Sequence, residues 1–283
     1  MIGEFEYVRA SSVKQATALL ADGAEAVRGL AGGTDLLVDI RSGALSPRLL
    51  VDLKGIPELT RITSTPQGGV SIGGAVSLNR ILEAPGLARR YGGLCEAIGS
   101  LASATVRNRA TLAGNLAHAS PAADGAPPLL ALGASLTVEG SSGRRTLSIR
   151  ELFAGVKRTT LAPDELIISV DLPPLPATAR TAFLKKQRIR GHDLAILNMA
   201  GVLDPEAGTL HVAIGSCAPT PVLLPAPRSP LDGPVDPLIE ELDTLAQDAI
   251  APIDDLRGSA EYRRALVPVF LWRLIEALFE GRS

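Results

Sequence analysis

An apolar run from Ala26 to Leu30 ends in Ala31-Gly32-Gly33-Thr34-Asp35, and a helix-like stretch from Leu36 to Arg41 starts directly after it. This order of strand, glycine turn and helix start constrains the fold more than any other feature of the chain. A strand that turns straight into a helix is the first half of a βαβ unit, because a parallel strand is reached only by a crossover. Successive backbone N–H groups at such a turn converge on one point, a geometry that holds phosphate oxygens. Glycine suits the turn because a Cβ would hold an anion away from the backbone, and because positive φ carries little penalty for it. A second segment, Thr111-Leu112-Ala113-Gly114-Asn115, repeats the recipe with a hydroxyl and an amide added. Two anion-cradling turns in one chain suggest a ligand with two phosphates, and so a dinucleotide.

The flanking pattern extends the unit. Phe5 to Arg9 alternates weakly, as a strand does, and Leu49 to Leu53 is a third, apolar strand. Between them, Ser12-Val13-Lys14-Gln15 fits a capping box. Val13, Ala16, Leu19 and Leu20 then form a stripe that Gly23 stops. Residues 1–60 therefore read as a small parallel βαβ subdomain. From Arg61 the texture changes. Strand-like runs at Gly69–Gly73, Ser135–Glu139, Arg145–Ile149 and Leu166–Leu172, with helices at Ser77–Glu83 and Gly93–Ser103, predict a mainly antiparallel second subdomain over 61–175.

The rigid connector Asp171-Leu-Pro-Pro-Leu-Pro176 marks a domain boundary. Beyond it, Ala182–Lys186, Ala195–Val202 and Leu210–Ile214 predict three strands of a C-terminal domain over 180–283. The stretch Pro219 to Pro237 holds seven prolines and reads as an irregular surface loop. A helix follows from Pro237 to Ala251. The last helix starts near Ser259, with Tyr262, Leu266, Val269, Phe270, Leu274, Ala277 and Leu278 on one face and Pro268 as a kink. The expected fold class is α+β: two subdomains clasping a ligand, then a domain with a three-stranded sheet and helices.

Composition narrows the function. The 283 residues leave room for two domains, and aromatics at 3% leave the core to Leu, Ala, Val and Ile. A net charge of −2 with both signs interspersed shows no basic stripe, so nucleic-acid binding has no support. Cys95 and Cys217 are too few for a disulfide framework, a zinc site or an iron–sulfur cluster. The start Met1-Ile2-Gly3-Glu4-Phe5 lacks signal-peptide character, and Ala126 to Val138 is too short and proline-broken to span a bilayer. The expectation is a cytoplasmic protein with no membrane span.

Gly32-Gly33-Thr34-Asp35 alone is a weak signal, since Thr34 or Asp35 as a helix N-cap explains it equally simply. It is neither the G-x-G-x-x-G fingerprint nor a Walker A loop. The run from Ala104 to Asp124 is more specific. There Thr111, Asn115, Ser120 and Asp124 stand in a stretch of small apolar residues, which lets a flat ligand approach while polar side chains fix it. Turn capping explains Asn115 and Asp124 singly but not the concentration. His118, His192 and His211 lack partners at metal-ligand spacing, so no metal site is expected. His118 reads as a spectator or as a group that tunes a bound ring. The run Lys185-Lys186-Gln187-Arg188-Ile189-Arg190 is either a solvated edge or the positive charge that faces a flavin or its acidic electron donor.

Four blocks together resemble one family, the FAD-binding (medium) subunit of the molybdenum hydroxylases, which include xanthine, nicotinate-type and carbon monoxide dehydrogenases. They are Ala31 to Leu36; Thr105 to Asn115 with Ala119 to Asp124; Lys185 to Ala195; and Asp254-Asp-Leu-Arg-Gly-Ser-Ala-Glu-Tyr-Arg-Arg264. The resemblance implies that Ala31, Gly32, Gly33, Thr34, Asp35 and Leu36 wrap the FAD pyrophosphate. It implies that Thr111 and Asn115, around Gly114, contact the phosphate and ribitol, with Ser120 and Asp124 in the same polar run and Asp124 near the flavin or ribose. Backbone at Leu166 and Ile167 lies against the ring, and Lys185 or Lys186 lies close to the isoalloxazine. No catalytic side chain is implied. Ala113, His118 and Leu101 depart from the residues usual in the family, which are a glycine, a polar amide and, in animal xanthine dehydrogenases, an aromatic.

The implied function is an FAD-carrying electron-transfer subunit. It passes electrons from a [2Fe–2S] subunit to NAD⁺, quinone or oxygen, while a molybdopterin subunit oxidises a xanthine-, nicotinate- or CO-like substrate. A heterotrimer is implied as well. A free-standing FAD oxidoreductase and a scaffold subunit that has lost FAD are the alternatives.

Overall fold

The computed structural model describes residues 4–23, 26–189, 191–229 and 231–279. The first subdomain runs β1 (Glu6–Arg9), α1 (Val13–Gly23), β2 (Val27–Leu30), α2 (Leu36–Arg41) and β3 (Leu49–Asp52). Its sheet has the order β1-β3-β2 and is parallel throughout, with Val8 and Gly29 both opposite Val51. This is the predicted βαβ unit. Helix α1 buries Val13, Ala16, Thr17 and Leu20 against it. The capping box forms by halves. Ser12 Oγ accepts the Gln15 N–H at 3.2 Å, but Gln15 Oε1 accepts from the N–H of Ser11, at 2.9 Å, and not from that of Ser12.

A 3₁₀ turn, Pro57–Thr60, leads to the second subdomain. It runs β4 (Ile62–Ser64), β5 (Val70–Gly73), α3 (Leu78–Leu82), α4 (Leu87–Arg90), α5 (Gly92–Gly99), α6 (Ala104–Arg107), α7 (Leu112–His118), α8 (Ala126–Leu132), β6 (Ser135–Gly140), β7 (Gly143–Ser148), α9 (Ile149–Leu152), β8 (Phe153–Gly155), β9 (Arg158–Thr159) and β10 (Leu166–Leu172). The main sheet, β4-β5-β10-β6-β7, is antiparallel, and β8 and β9 pair separately. Small and aliphatic residues fill the core, as the composition requires. Tyr91 is fully buried among them, and its hydroxyl donates to the carbonyl of Pro173 at 2.7 Å, fastening the connector after β10. A buried phenol needs such a partner.

The C-terminal part runs β11 (Arg180–Lys186), β12 (Leu197–Asp204), β13 (Thr209–Gly215), β14 (Val222–Leu223), α10 (Val235–Ala249) and α11 (Ala260–Phe279). The three predicted strands form an antiparallel sheet, to which β14 adds a two-residue fourth from within the proline-rich stretch. Pro221 and Pro225 bracket β14, and proline ends ladder pairing because it has no N–H to give.

One face of this sheet, including Leu197 and Met199, packs on α10 and α11. The other face, through Phe183, Ala200, Val202 and Ala213, joins the core of the second subdomain. That shared core carries β11 and β12 toward the groove between the subdomains. In α11 the expected face is right at Phe270, Leu274 and Leu278 and wrong at Tyr262 and Val269, which are 40% and 43% exposed. The helix is rotated so that Val267, Leu271 and Ile275 go inward, with Arg263 buried to donate to the carbonyl of Ser216 at 2.8 Å. Among the described residues, no helix is long and apolar enough to cross a membrane.

Candidate functional site

The two glycine segments, remote in sequence, touch. A Cβ on Gly32 would lie 2.3 Å from the carbonyl oxygen of Arg109 and 2.8 Å from the Cα of Ala110. Only glycine lets the first turn rest on the backbone that leads into Thr111. Gly33 then takes φ +77° to aim the chain into α2. The first helical bond runs from the Leu37 N–H to the Gly33 carbonyl at 3.0 Å. The N–H groups of Gly32, Gly33, Thr34 and Asp35 donate to no protein acceptor among the described residues. Asp35 holds the N-cap position without a side-chain bond to the helix, so capping does not explain this turn.

Behind the turn lies a network that sequence reading missed. Lys54 Nζ donates to the Ala31 carbonyl at 2.9 Å and pairs with Asp52 at 2.6 Å. Asp52 also accepts from the Lys54 N–H and the Tyr7 hydroxyl. Burial pushes the Asp52 carboxyl up, but the bonds from Lys54 and Tyr7 prevail and hold it below the usual carboxylate range. The bond to Asp52 in turn raises the Tyr7 phenol. The one sequence signal was an aspartate closing an otherwise apolar strand.

The second segment is built differently from the first. Thr111 is a buried N-cap whose Oγ1 accepts the Gly114 N–H at 2.9 Å, leaving its hydroxyl proton to donate. Asn115 Oδ1 accepts the Gly125 N–H at 3.3 Å, and its Nδ2 donates to no protein atom among the described residues. Here side chains, and not bare backbone, present the polar groups.

Asp124 is 3% exposed. Its two oxygens take Lys185 Nζ at 2.6 Å and Asn198 Nδ2 at 2.8 Å. Burial pushes this carboxyl up, against the pull of Lys185 and Asn198. Lys185 reaches from β11 and Asn198 from β12, so the C-terminal sheet completes this corner.

Two adjoining cavities of about 670 and 550 Å³ form one groove between the first subdomain and the rest. They share Arg28, Gly29, Ala31, Asp39, Gly114 and His118 among their linings. Ala31 to Leu36, Thr111, Asn115, Asp124 and Lys185 line the smaller, and Leu166 and Ile167 the larger. Leu101 also lines the smaller.

Two expected site residues are not brought there. Ser120 borders a separate cavity beside Ser216 and Arg263, with its Oγ accepting the Ala122 N–H at 3.3 Å. Lys186 lines neither cavity, so of these two lysines Lys185 faces the groove. Arg190, the end of the basic run, lies outside the described residues. His192 to Leu194, within the Lys185 to Ala195 block, also line the smaller cavity, though no site role was expected of them.

Comparison with known proteins is consistent along the whole chain. The family described as the FAD binding domain in molybdopterin dehydrogenase matches residues 3–175. The CO dehydrogenase flavoprotein C-terminal domain matches residues 182–278. The carbon monoxide dehydrogenase medium chain of Hydrogenophaga pseudoflava is 32% identical over 280 residues, covering 96% of each chain. The putative xanthine dehydrogenase FAD-binding subunit XdhB of Escherichia coli is 30% identical over 277 residues, covering 95% of this chain and 94% of its own. Among solved structures, carbon monoxide dehydrogenase from Hydrogenophaga pseudoflava lacking the Mo-pyranopterin moiety superposes with a TM-score of 0.93 at 28% identity, covering 100% of both chains. The chain belongs to this family and is an FAD-binding subunit of the xanthine and carbon monoxide dehydrogenase type.

Proposed function

We propose that this family member works as the electron-transfer subunit of a cytoplasmic molybdenum hydroxylase. A [2Fe–2S] subunit delivers electrons to it, a molybdopterin subunit oxidises a xanthine-, nicotinate- or CO-like substrate, and NAD⁺, quinone or oxygen receives the electrons. Residues 1–60 and 61–175 are assigned to holding FAD, and residues 180–283 to completing the site and meeting partners. The observation that carries the reading is the run of four open N–H groups from Gly32 to Asp35 at the wall of a groove made by two adjoining cavities.

Bound FAD supplies a carrier that accepts electrons singly and releases them in pairs. The chain's own residues bind and orient. The N–H groups of Gly32 to Asp35 take the diphosphate oxygens. Lys54, holding Ala31 from behind, fixes the angle of the turn. The Thr111 hydroxyl and the Asn115 amide serve the phosphate and ribitol stretch. Asp124, paired with Lys185, accepts from a ribose or ribityl hydroxyl. The backbone at Leu166 and Ile167 in the larger cavity would keep water from the ring. Gly74 permits this wall, since a Cβ there would lie 2.2 Å from the Ile167 carbonyl oxygen.

The test is to isolate the complex through a tag on this chain and to measure flavin, molybdenum and iron. FAD with co-purifying molybdenum and iron is the expected result. FAD without them would favour a free-standing oxidoreductase. A colourless chain that takes up no FAD would leave the scaffold reading.

A further inference from the structure

His118, on the last turn of α7, lines both cavities. Its Nε2 lies 3.9 Å from Asp35 Oδ1 and its Nδ1 lies 3.8 Å from Asp39 Oδ2. Both carboxylates belong to the first subdomain and the ring to the second, so the triad spans the groove. The distances exceed hydrogen-bond range and leave a Coulombic attraction that exists only when the ring is charged. A neutral imidazole carries one N–H and one lone pair, and the lone pair would face a carboxylate. An imidazolium presents an N–H to each.

Lys157, in the β8–β9 turn, sits 3.5 Å from Asp39. The other charged or titratable groups in these walls are Arg28, Glu165 paired with Arg145, Asp124 paired with Lys185, Asp193 paired with Arg188, and the second imidazole, His192, whose contribution His118→Gln separates from that of His118. Lys157 therefore offsets one carboxylate of α2. Without charge on His118, Asp35 has no cation within ion-pair distance among the described residues.

We infer that His118 is a positioning residue that acts as a pH-dependent clasp. Charged, it draws the glycine turn toward α7 and offsets the carboxylates beside the diphosphate. The chain then holds FAD more tightly in mild acid than in mild alkali. The inference rests on the FAD reading above.

It is tested on the full chain by measuring the FAD dissociation constant, from quenching of flavin fluorescence, at pH 5.5 and at pH 8. At fixed ionic strength, binding should weaken about five-fold at pH 8, the size expected if bound FAD tightens two partly exposed ion pairs. His118→Gln should bind alike at both values, at the wild-type alkaline level. His118→Arg, which keeps its cation throughout, should bind alike at both at the tighter level. Equal wild-type affinity at the two pH values, or an unchanged pH dependence in His118→Gln, overturns the clasp and leaves the FAD reading intact. Absence of FAD binding at both values overturns the function and the clasp with it. If His118→Gln does not fold, as judged by its melting curve, the wild-type profile and His118→Arg decide.

Discussion

The two ends of the smaller cavity are made by opposite means. At the glycine turn the working groups are backbone N–H donors, and their aim depends on Gly32 having no side chain where the turn meets Arg109 and Ala110. At the far corner the working groups are side chains. Asp124, Lys185 and Asn198 are buried together from positions 61 and 74 residues apart. The first end tolerates change in the identity of neighbouring side chains and no added atom at one glycine. The second tolerates added atoms nearby and no loss of a charge.

The largest effect should come from the charged corner. Lys185→Met leaves a carboxylate buried without its countercharge, a loss of about 3–5 kcal/mol in urea unfolding. Adding Asp124→Asn should recover most of it. The single-variant deficit should shrink as pH falls, because a carboxyl already pushed up by burial takes up a proton more readily in the fold than in the unfolded chain. If the single variant matches wild type, the corner does not depend on its ion pair.

The next effect belongs to the backbone end. Gly32→Ala must displace the 109–110 backbone, which should lower stability by about 1–3 kcal/mol and empty the chain of FAD. Gly99→Ala, where a Cβ meets nothing within 4 Å, is its control and should be neutral or slightly stabilising. Equal behaviour of the two would break the contrast. Asn115→Ala should be milder, near 1–2 kcal/mol, since it frees one backbone N–H, and should show chiefly as reduced FAD occupancy on gel filtration.

The smallest effect is on the acid limb. Arg145 holds the Glu165 carboxyl below its ordinary value of 4.5, and Lys54 and Tyr7 do the same for Asp52 against burial. Both contributions are complete above the unfolded value and are lost as pH falls through the lower folded one. Thermal melting should therefore decline below about pH 4.5, and Arg145→Gln should soften that decline.

The contrast also accounts for what the sequence revealed. The parallel βαβ unit, the antiparallel second subdomain and the glycine turns were legible because strand, turn and helix signals are local. Thr111 and Asn115 stood out as polar residues in an apolar run. What escaped needed a partner from elsewhere. Lys54 matters through the Ala31 carbonyl, and His118 through Asp35 and Asp39. Lys185 parts from Lys186 because alternate strand residues face opposite sides of the sheet. Strand β14 exists by pairing with β13 despite its prolines, and α11 is rotated by the burial of Arg263.

The central claim is that the backbone N–H groups of Gly32 to Asp35 take the diphosphate. A crystal structure of the chain with FAD tests it most directly. The account predicts diphosphate oxygens within hydrogen-bond distance of those four groups, with the ring toward Leu166 and Ile167. A diphosphate held by side chains elsewhere, with the glycine turn facing water, would contradict it.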